Sequence, residues 1–167
     1  MLGLLLMFNA TAMFVCTLLS VYLDDGVTEG LLFSALITIG IGLLLLLITR
    51  NRKREIKMRD GYLTVVMGWL SMVIFGTLPY LLTQSLVSYS DALFETMSGF
   101  TATGATIVQD IEALPKSIIL WRSLTHWLGG MGIIVLAVAI LPLLGIGGVQ
   151  LFSCLLYTSD AADEWLR

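Results

Sequence analysis

Four apolar runs, each about the length of a membrane crossing, alternate with short polar breaks along the chain. Roughly 20 consecutive apolar residues suffice to span a ~30 Å hydrocarbon layer as a helix. Residues 2–23 are Leu-rich and uncharged, and Asp24, Asp25, Gly26 and Glu29 then form an acidic turn. Residues 30–49 make the second run, which ends in Gly42 to Ile48 and gives way to a basic stretch over 50–60. The third run, 61–83, carries Trp69 and is interrupted late by Pro79. The fourth, 118–141, holds Arg122 and His126 in its first half, then Gly129, Gly130 and Gly132, with Pro142 at its end. The pattern predicts four transmembrane helices. The first run lacks the basic start and small-residue cleavage site of a signal peptide, which favours a retained helix.

Between the third and fourth runs lies a stretch of different character. Residues 89–106 are rich in hydroxyls and too short to cross a bilayer. Asp91 to Phe100 has helical composition, with Ser90 or Asp91 placed to cap its first turn. Ten helical residues reach only ~15 Å, about half the hydrocarbon thickness. Thr101, Ala102, Thr103, Gly104, Ala105 and Thr106 are then poor helix material. Non-helical backbone survives at membrane depth only when buried in protein or lining water. Two readings stay open on composition alone: a re-entrant pore loop, made of a half-helix and an extended return, or a surface loop lying at the interface.

Composition fixes the class. The 167 residues are 57% hydrophobic and 13% charged, and the mean hydropathy is +0.94. Soluble domains carry about 25% charged residues, so this is an integral membrane protein. Net charge is −3, but six of the nine basic residues (Arg50, Arg52, Lys53, Arg54, Lys57 and Arg59) fall within ten positions. Beside a membrane span such a cluster marks a cytoplasmic loop rather than a nucleic-acid surface. The N-terminus is then cytoplasmic too, and residues 84–115 begin and end outside. Cys16 and Cys154 show neither metal spacing nor a disulfide framework. From Cys154 to Glu164 the hydrophobic pattern dissolves into a string resembling a translated sequencing adapter, so 153–167 is expected to be a non-native tail; the alternative is a genuine acidic C-terminus. Without residues 154–167, eight basic and nine acidic residues remain, a net of −1.

The chemistry of catalysis finds little support. His126 has no Cys, His or carboxylate at ligand spacing and suits helix packing better than a metal. Gly129-Gly130-Met131-Gly132 lacks the Lys-Ser/Thr of a phosphate loop and suits close helix approach or a bend. No base accompanies the hydroxyls of Thr101, Thr103 and Thr106. A permeation site asks for other things. A dehydrated K⁺ must recover several oxygen ligands, which backbone carbonyls can supply. Gly104 permits a conformation that a β-carbon hinders, and the half-helix would point its partially negative end at the cavity. Asp91 and Glu95 either add charge at the mouth or, with Ser98, buttress the half-helix. Arg122 is the costliest intramembrane residue. Glu95, Asp110, Glu112 and the outer interface are all open to it.

The run Asp91-Ala-Leu-Phe-Glu-Thr-Met-Ser-Gly-Phe-Thr-Ala-Thr-Gly-Ala-Thr106 resembles the first pore loop of Trk-type potassium uptake proteins, of the Trk/Ktr/HKT superfamily. Leu128-Gly-Gly-Met-Gly to Pro142, followed by Gly145 to Leu151, is similar to the inner helix of that repeat. The likeness covers about residues 1–152 and includes the leading hairpin that marks the TrkH-like branch. It implies an all-α membrane protein with an accessory hairpin (1–49), a basic loop (50–60) and one helix–re-entrant pore loop–helix repeat (61–152). It implies K⁺ uptake across the bacterial cytoplasmic membrane, no enzymatic activity and no cofactor. Ala102, Thr103, Gly104, Ala105 and Thr106 would form one of four filter strands, with K⁺ held through Thr103 and Gly104. Threonine is common in the family where this chain has Ala102. Implied partners are a second copy and a cytoplasmic nucleotide-binding regulatory subunit. The competing classes are a non-conducting membrane scaffold and, further off, an intramembrane enzyme using His126.

Overall fold

The computed structural model describes residues 2–49 and 58–143, with side chains described for 2–49 and 63–134. The basic stretch 50–57, the continuation 144–152 and the expected non-native tail 153–167 lie outside the described residues. The described residues are all-helical: α1 Leu2–Leu23, α2 Thr28–Thr49, α3 Met58–Gly76, α4 Leu78–Leu82, α5 Tyr89–Phe100 and α6 Lys116–Leu143. Leu2–Leu23, Thr28–Thr49 and Leu63–Leu82 are long and apolar enough to cross a membrane. Two compact units divide the chain, 1–130 and 131–167. The first holds α1 to α5 and the start of α6. The described part of the second is the remainder of α6.

The hairpin of α1 and α2 is built on small residues at near-heptad spacing. Gly3, Leu6, Ala10, Met13, Thr17 and Ser20 are buried on α1, and Leu31, Ser34, Ala35, Thr38 and Gly42 on α2. Such stripes let two helices pack closely at a shallow angle. A β-carbon on Gly3 would meet the Gly42 carbonyl oxygen at 2.8 Å. The buried hydroxyls of this hairpin do not stay unpaired. Thr17 donates to the Met13 carbonyl at 3.0 Å, Ser34 to Gly30 at 2.7 Å and Thr38 to Ser34 at 2.7 Å. Each thereby satisfies itself within its own helix, which an apolar surround demands. The outward faces of both helices remain apolar, for example Leu4, Phe8, Leu36 and Leu47.

The third apolar run is broken as Pro79 predicts. Proline has no N–H to continue the helical ladder, so α3 stops at Gly76 and α4 restarts after Thr77. The interruption is bridged by Trp121, whose indole N–H donates to the Gly76 carbonyl at 3.2 Å. A core of Met13, Cys16, Leu31, Ala35, Tyr80, Ala92, Ile118 and Trp121 joins the hairpin to α4, α5 and α6. A second, of Met72, Val73, Phe100 and Leu128, packs α5 between α3 and α6.

The short helix α5 starts earlier than its composition predicts. It begins at Tyr89 with Ser88 at the N-cap position, and Ser88 makes no side-chain cap bond. Asp91 therefore sits inside the first turn rather than at the cap. The end at Phe100 matches the expectation. It closes in a Schellman motif: the Thr103 N–H donates to the Ser98 carbonyl at 3.0 Å and the Ala102 N–H to the Gly99 carbonyl at 2.9 Å. The motif needs a left-handed residue after the helix, usually glycine. Here Ala102 takes it, at φ +53°.

Two outcomes follow for thermal unfolding in detergent. A β-carbon on Gly30 would lie 2.8 Å from the Leu82 carbonyl oxygen, whereas one on Gly40 meets nothing within 4 Å. Gly30→Val is expected to cost about 1–3 kcal/mol through forced displacement of backbone, while Gly40→Ala holds or raises the midpoint. Ala102→Gly is expected to stabilise by roughly 0.5–1 kcal/mol, because it relieves the left-handed penalty on alanine; a lowered midpoint would contradict the cap assignment.

Candidate functional site

The site is the irregular segment that follows α5, together with the side chains that hold it. Residues 103–108 carry no regular secondary structure, and residues 102–107 are exposed in this chain. The segment is stitched to α5 at two points one helical turn apart. Ser98 donates its hydroxyl to the Ala105 carbonyl at 2.6 Å. Glu95 accepts from the Thr106 hydroxyl at 3.1 Å to each carboxylate oxygen and from the Ile107 N–H at 3.2 Å. Thr106 in turn accepts the Val108 N–H at 3.1 Å. The spacing of Ser98 from Glu95 puts both on one face of the half-helix, so the helix itself sets the path of the returning backbone.

Arg122 supplies the counter-charge. Its Nε donates to Glu95 at 2.5 Å, and the two side chains are 18% and 0% exposed. A lone carboxylate at this burial would be strongly penalised. Of the partners open to Arg122 on sequence grounds, the geometry selects Glu95. Asp110 instead accepts the N–H groups of Glu112 and Ala113 at 3.1 and 3.3 Å, closing its own loop. Among the described residues, Asp91 accepts from Ser90, at 3.4 Å.

The carbonyls at the end of α5 are each taken up inside the protein. Met97 accepts from the Thr101 N–H at 2.9 Å and from the Thr101 hydroxyl at 2.8 Å. Ser98 and Gly99 are used by the Schellman bonds, and Phe100 accepts the Trp69 indole N–H at 3.2 Å. The indole bonds of Trp69 and Trp121 escape sequence reasoning, because each spans helices distant in the chain. The half-helix is seated by three glycines. A β-carbon on Gly76 would lie 2.8 Å from the Phe100 ring, one on Gly129 would strike the Phe100 backbone, and one on Gly99 would strike the Thr125 hydroxyl. Gly129 thus serves close approach, as its place in an apolar helix suggests; Gly130 has nothing within 4 Å.

Gly104 is a different kind of glycine. It sits at φ +80° and a β-carbon there would meet nothing within 4 Å. It is needed for conformation and open space, not for packing. Among the described residues, the carbonyls of Ala102, Thr103, Gly104 and Thr106 receive no protein hydrogen bond, while that of Ala105 is taken by Ser98. A short row of free backbone oxygens around a left-handed glycine, braced from behind by a buried ion pair, can ligate a hard cation. Among the described residues, no group of three His, Cys, Asp or Glu side chains is placed to hold a metal ion.

Residues 31–162 match the family model for TrkH, described as a cation transport protein. The chain is 44% identical over 152 residues to the Trk system potassium uptake protein TrkH of Halomonas elongata, a match covering 90% of this chain and 32% of that protein. It is 40% identical over 151 residues to the protein of the same name in Escherichia coli K12, covering 90% and 31%. Its fold is similar to the crystal structure of the potassium transporter TrkH from Vibrio parahaemolyticus, with a TM-score of 0.80, 38% identity, and coverage of 93% of this chain and 35% of that one. The chain spans about a third of the length of the relatives it matches. With most of its residues matched by the family model and the fold shared at this identity, the chain belongs to the TrkH family of cation transport proteins.

Proposed function

We infer that these residues form the first helix–pore loop–helix repeat of a K⁺ uptake protein, and that Ala102 to Thr106 is one of four strands lining its selectivity filter. The observation that carries the reading is the set of unengaged carbonyls at Thr103 and Gly104, held in place by a left-handed glycine. A K⁺ ion that sheds its water recovers ligands from such oxygens. On this reading residues 1–49 are an accessory hairpin, 50–60 a cytoplasmic basic stretch whose last three residues already open α3, 61–152 the repeat and 153–167 a non-native tail. The loop charge puts the N-terminus in the cytoplasm and the 24–27 turn outside, in a bacterial cytoplasmic membrane. The working protein is a homodimer joined to a cytoplasmic nucleotide-binding subunit, as the family resemblance implies. One repeat offers about a quarter of a coordination shell, so the 167-residue chain alone does not conduct selectively.

Glu95, Ser98 and Arg122 are the supports of this strand, and Asp91 adds negative charge to the first turn of the half-helix. Neutralised by Arg122, Glu95 acts through the atoms it holds at Thr106 and Ile107 rather than by drawing the ion to itself.

The test uses a full-length transporter in which residues 1–152 replace the matching segment of the Escherichia coli protein, expressed in cells lacking their own K⁺ uptake. Gly104→Val is expected to reduce Rb⁺ uptake more than tenfold while lowering the stability of the 167-residue chain by only about 1–2 kcal/mol, the left-handed penalty. Unaltered uptake and ion preference in that variant would overturn the reading. Glu95→Ala leaves a buried cation unpaired and is expected to cost about 3–5 kcal/mol. The Glu95→Ala/Arg122→Ala double variant is expected to cost less than the sum of the two single changes. Strict additivity in thermal unfolding would show that the pair does not act as a unit.

A further inference from the structure

The turn between α1 and α2 carries a carboxylate that the transport reading does not use. Asp24 and Gly26 both lie in the left-handed region, at φ +51° and +75°. Asp25 is folded back between them. One of its oxygens accepts the Ser20 hydroxyl in the last turn of α1, and Ser20 is paired at 2.9 Å with Thr28, the first residue of α2. The other oxygen accepts both the hydroxyl of Ser117 and its N–H, the latter at 3.2 Å. Ser117 is the second residue of α6 and fully buried.

The first turn of a helix has N–H groups without helical partners and attracts negative charge. In α6 the preceding residues, Leu114 and Pro115, have no side-chain acceptor to offer. The cap is supplied across 92 positions of sequence instead. Burial pushes the Asp25 carboxyl up, but the hydrogen bonds from Ser117 and Ser20 outweigh it, and the net position is below the ordinary 3.8. At neutral pH the cap is therefore a full negative charge.

What hangs from Ser117 makes this more than a fastening. Trp121, one turn on, is fully buried and bonded to Gly76. Arg122, next in line, lies about 7.5 Å along the axis from Ser117 at ~1.5 Å per residue. It pairs with Glu95, which holds Thr106 and Ile107. The axial position of α6 therefore decides whether Arg122 and Glu95 meet.

We propose that Asp25 is a positioning residue for ion selection: by capping α6 from the accessory hairpin, it fixes the register at which Arg122 meets Glu95 and so the path of the Thr103–Thr106 backbone. The proposal rests on the transport reading above.

The experiment measures Rb⁺ uptake and its competition by Na⁺ in the full-length transporter just described. Asp25→Ala is expected to raise the KM for Rb⁺ and lower K⁺-over-Na⁺ preference by roughly three- to tenfold at unchanged membrane abundance, a loss of the size that removing one helix cap can cause. Ser117→Ala shifts both in the same direction by less, and the double variant is no worse than Asp25→Ala. Gly30→Val, which strains the contact of α2 with the end of α4 without touching Asp25, lowers abundance or maximal rate and leaves ion preference alone. Should Asp25→Ala fail to insert, Asp25→Asn keeps an acceptor oxygen and is expected to shift preference in the same direction by a smaller factor. Parental KM and preference in the inserted Asp25 variants, or losses at Asp25 and Ser117 that simply add, overturn the proposal. If those variants behave as the parent while Gly104→Val abolishes uptake, only the positioning role falls; if Gly104→Val is also silent, the transport reading falls with it.

Discussion

A short helix that ends inside the protein must dispose of its last carbonyls, and this requirement organises the fold around α5. Each unpaired backbone group at lipid depth costs several kcal/mol. At the end of α5, Met97 is satisfied by Thr101, Ser98 by Thr103, Gly99 by Ala102 and Phe100 by Trp69. The first three are local to the cap, whereas the last requires Phe100 to lie against α3, and glycines at 76 and 129 make room for it. The chain that leaves the cap is then already turned back, so the return path of residues 103–108 is a consequence of how the helix ends.

Charge is handled by the same economy of partners. Burying Glu95 beneath the returning segment is tolerable because Arg122, the Thr106 hydroxyl and the Ile107 N–H share its two oxygens. Replacing such a pair by apolar residues is often neutral for stability; what apolar residues cannot do is fix a hydrogen-bonding backbone in one place. The pair is better understood as a register device than as a source of folding energy. Among the described residues, the backbone oxygens left over after these obligations, at Ala102, Thr103, Gly104 and Thr106, accept no hydrogen bond from the protein.

Much of this was legible in the residues. The four apolar runs, the break at Pro79 and the end of α5 at Phe100 all follow from period, proline chemistry and the change to small hydroxylated residues. Asp91, Glu95 and Ser98 could be read as supports of a half-helix, but not what Glu95 and Ser98 would hold. Arg122 had several open partners, and only the packing of α6 against α5 selects Glu95. The αL conformation of Ala102 could not be read, since nothing in a single alanine announces a positive φ that glycine normally takes. The tie from Asp25 to Ser117 was hidden for another reason: it joins positions 92 apart, and local sequence shows only that α6 lacks a cap of its own. Short-range chemistry was readable, and long-range pairing was not.

If the carbonyls of Thr103 and Gly104 ligate a dehydrated alkali cation, the ion itself should be found against them. Rubidium is a faithful and electron-dense substitute for K⁺, so a structure of the full-length transporter in Rb⁺, with the scattering of the ion located directly, tests that claim without intermediaries. Ion density is expected at the carbonyls of Thr103 and Gly104, with the Ala105 carbonyl still bonded to Ser98. Rubidium bound elsewhere in the pore, with those two carbonyls turned away from it, would contradict it.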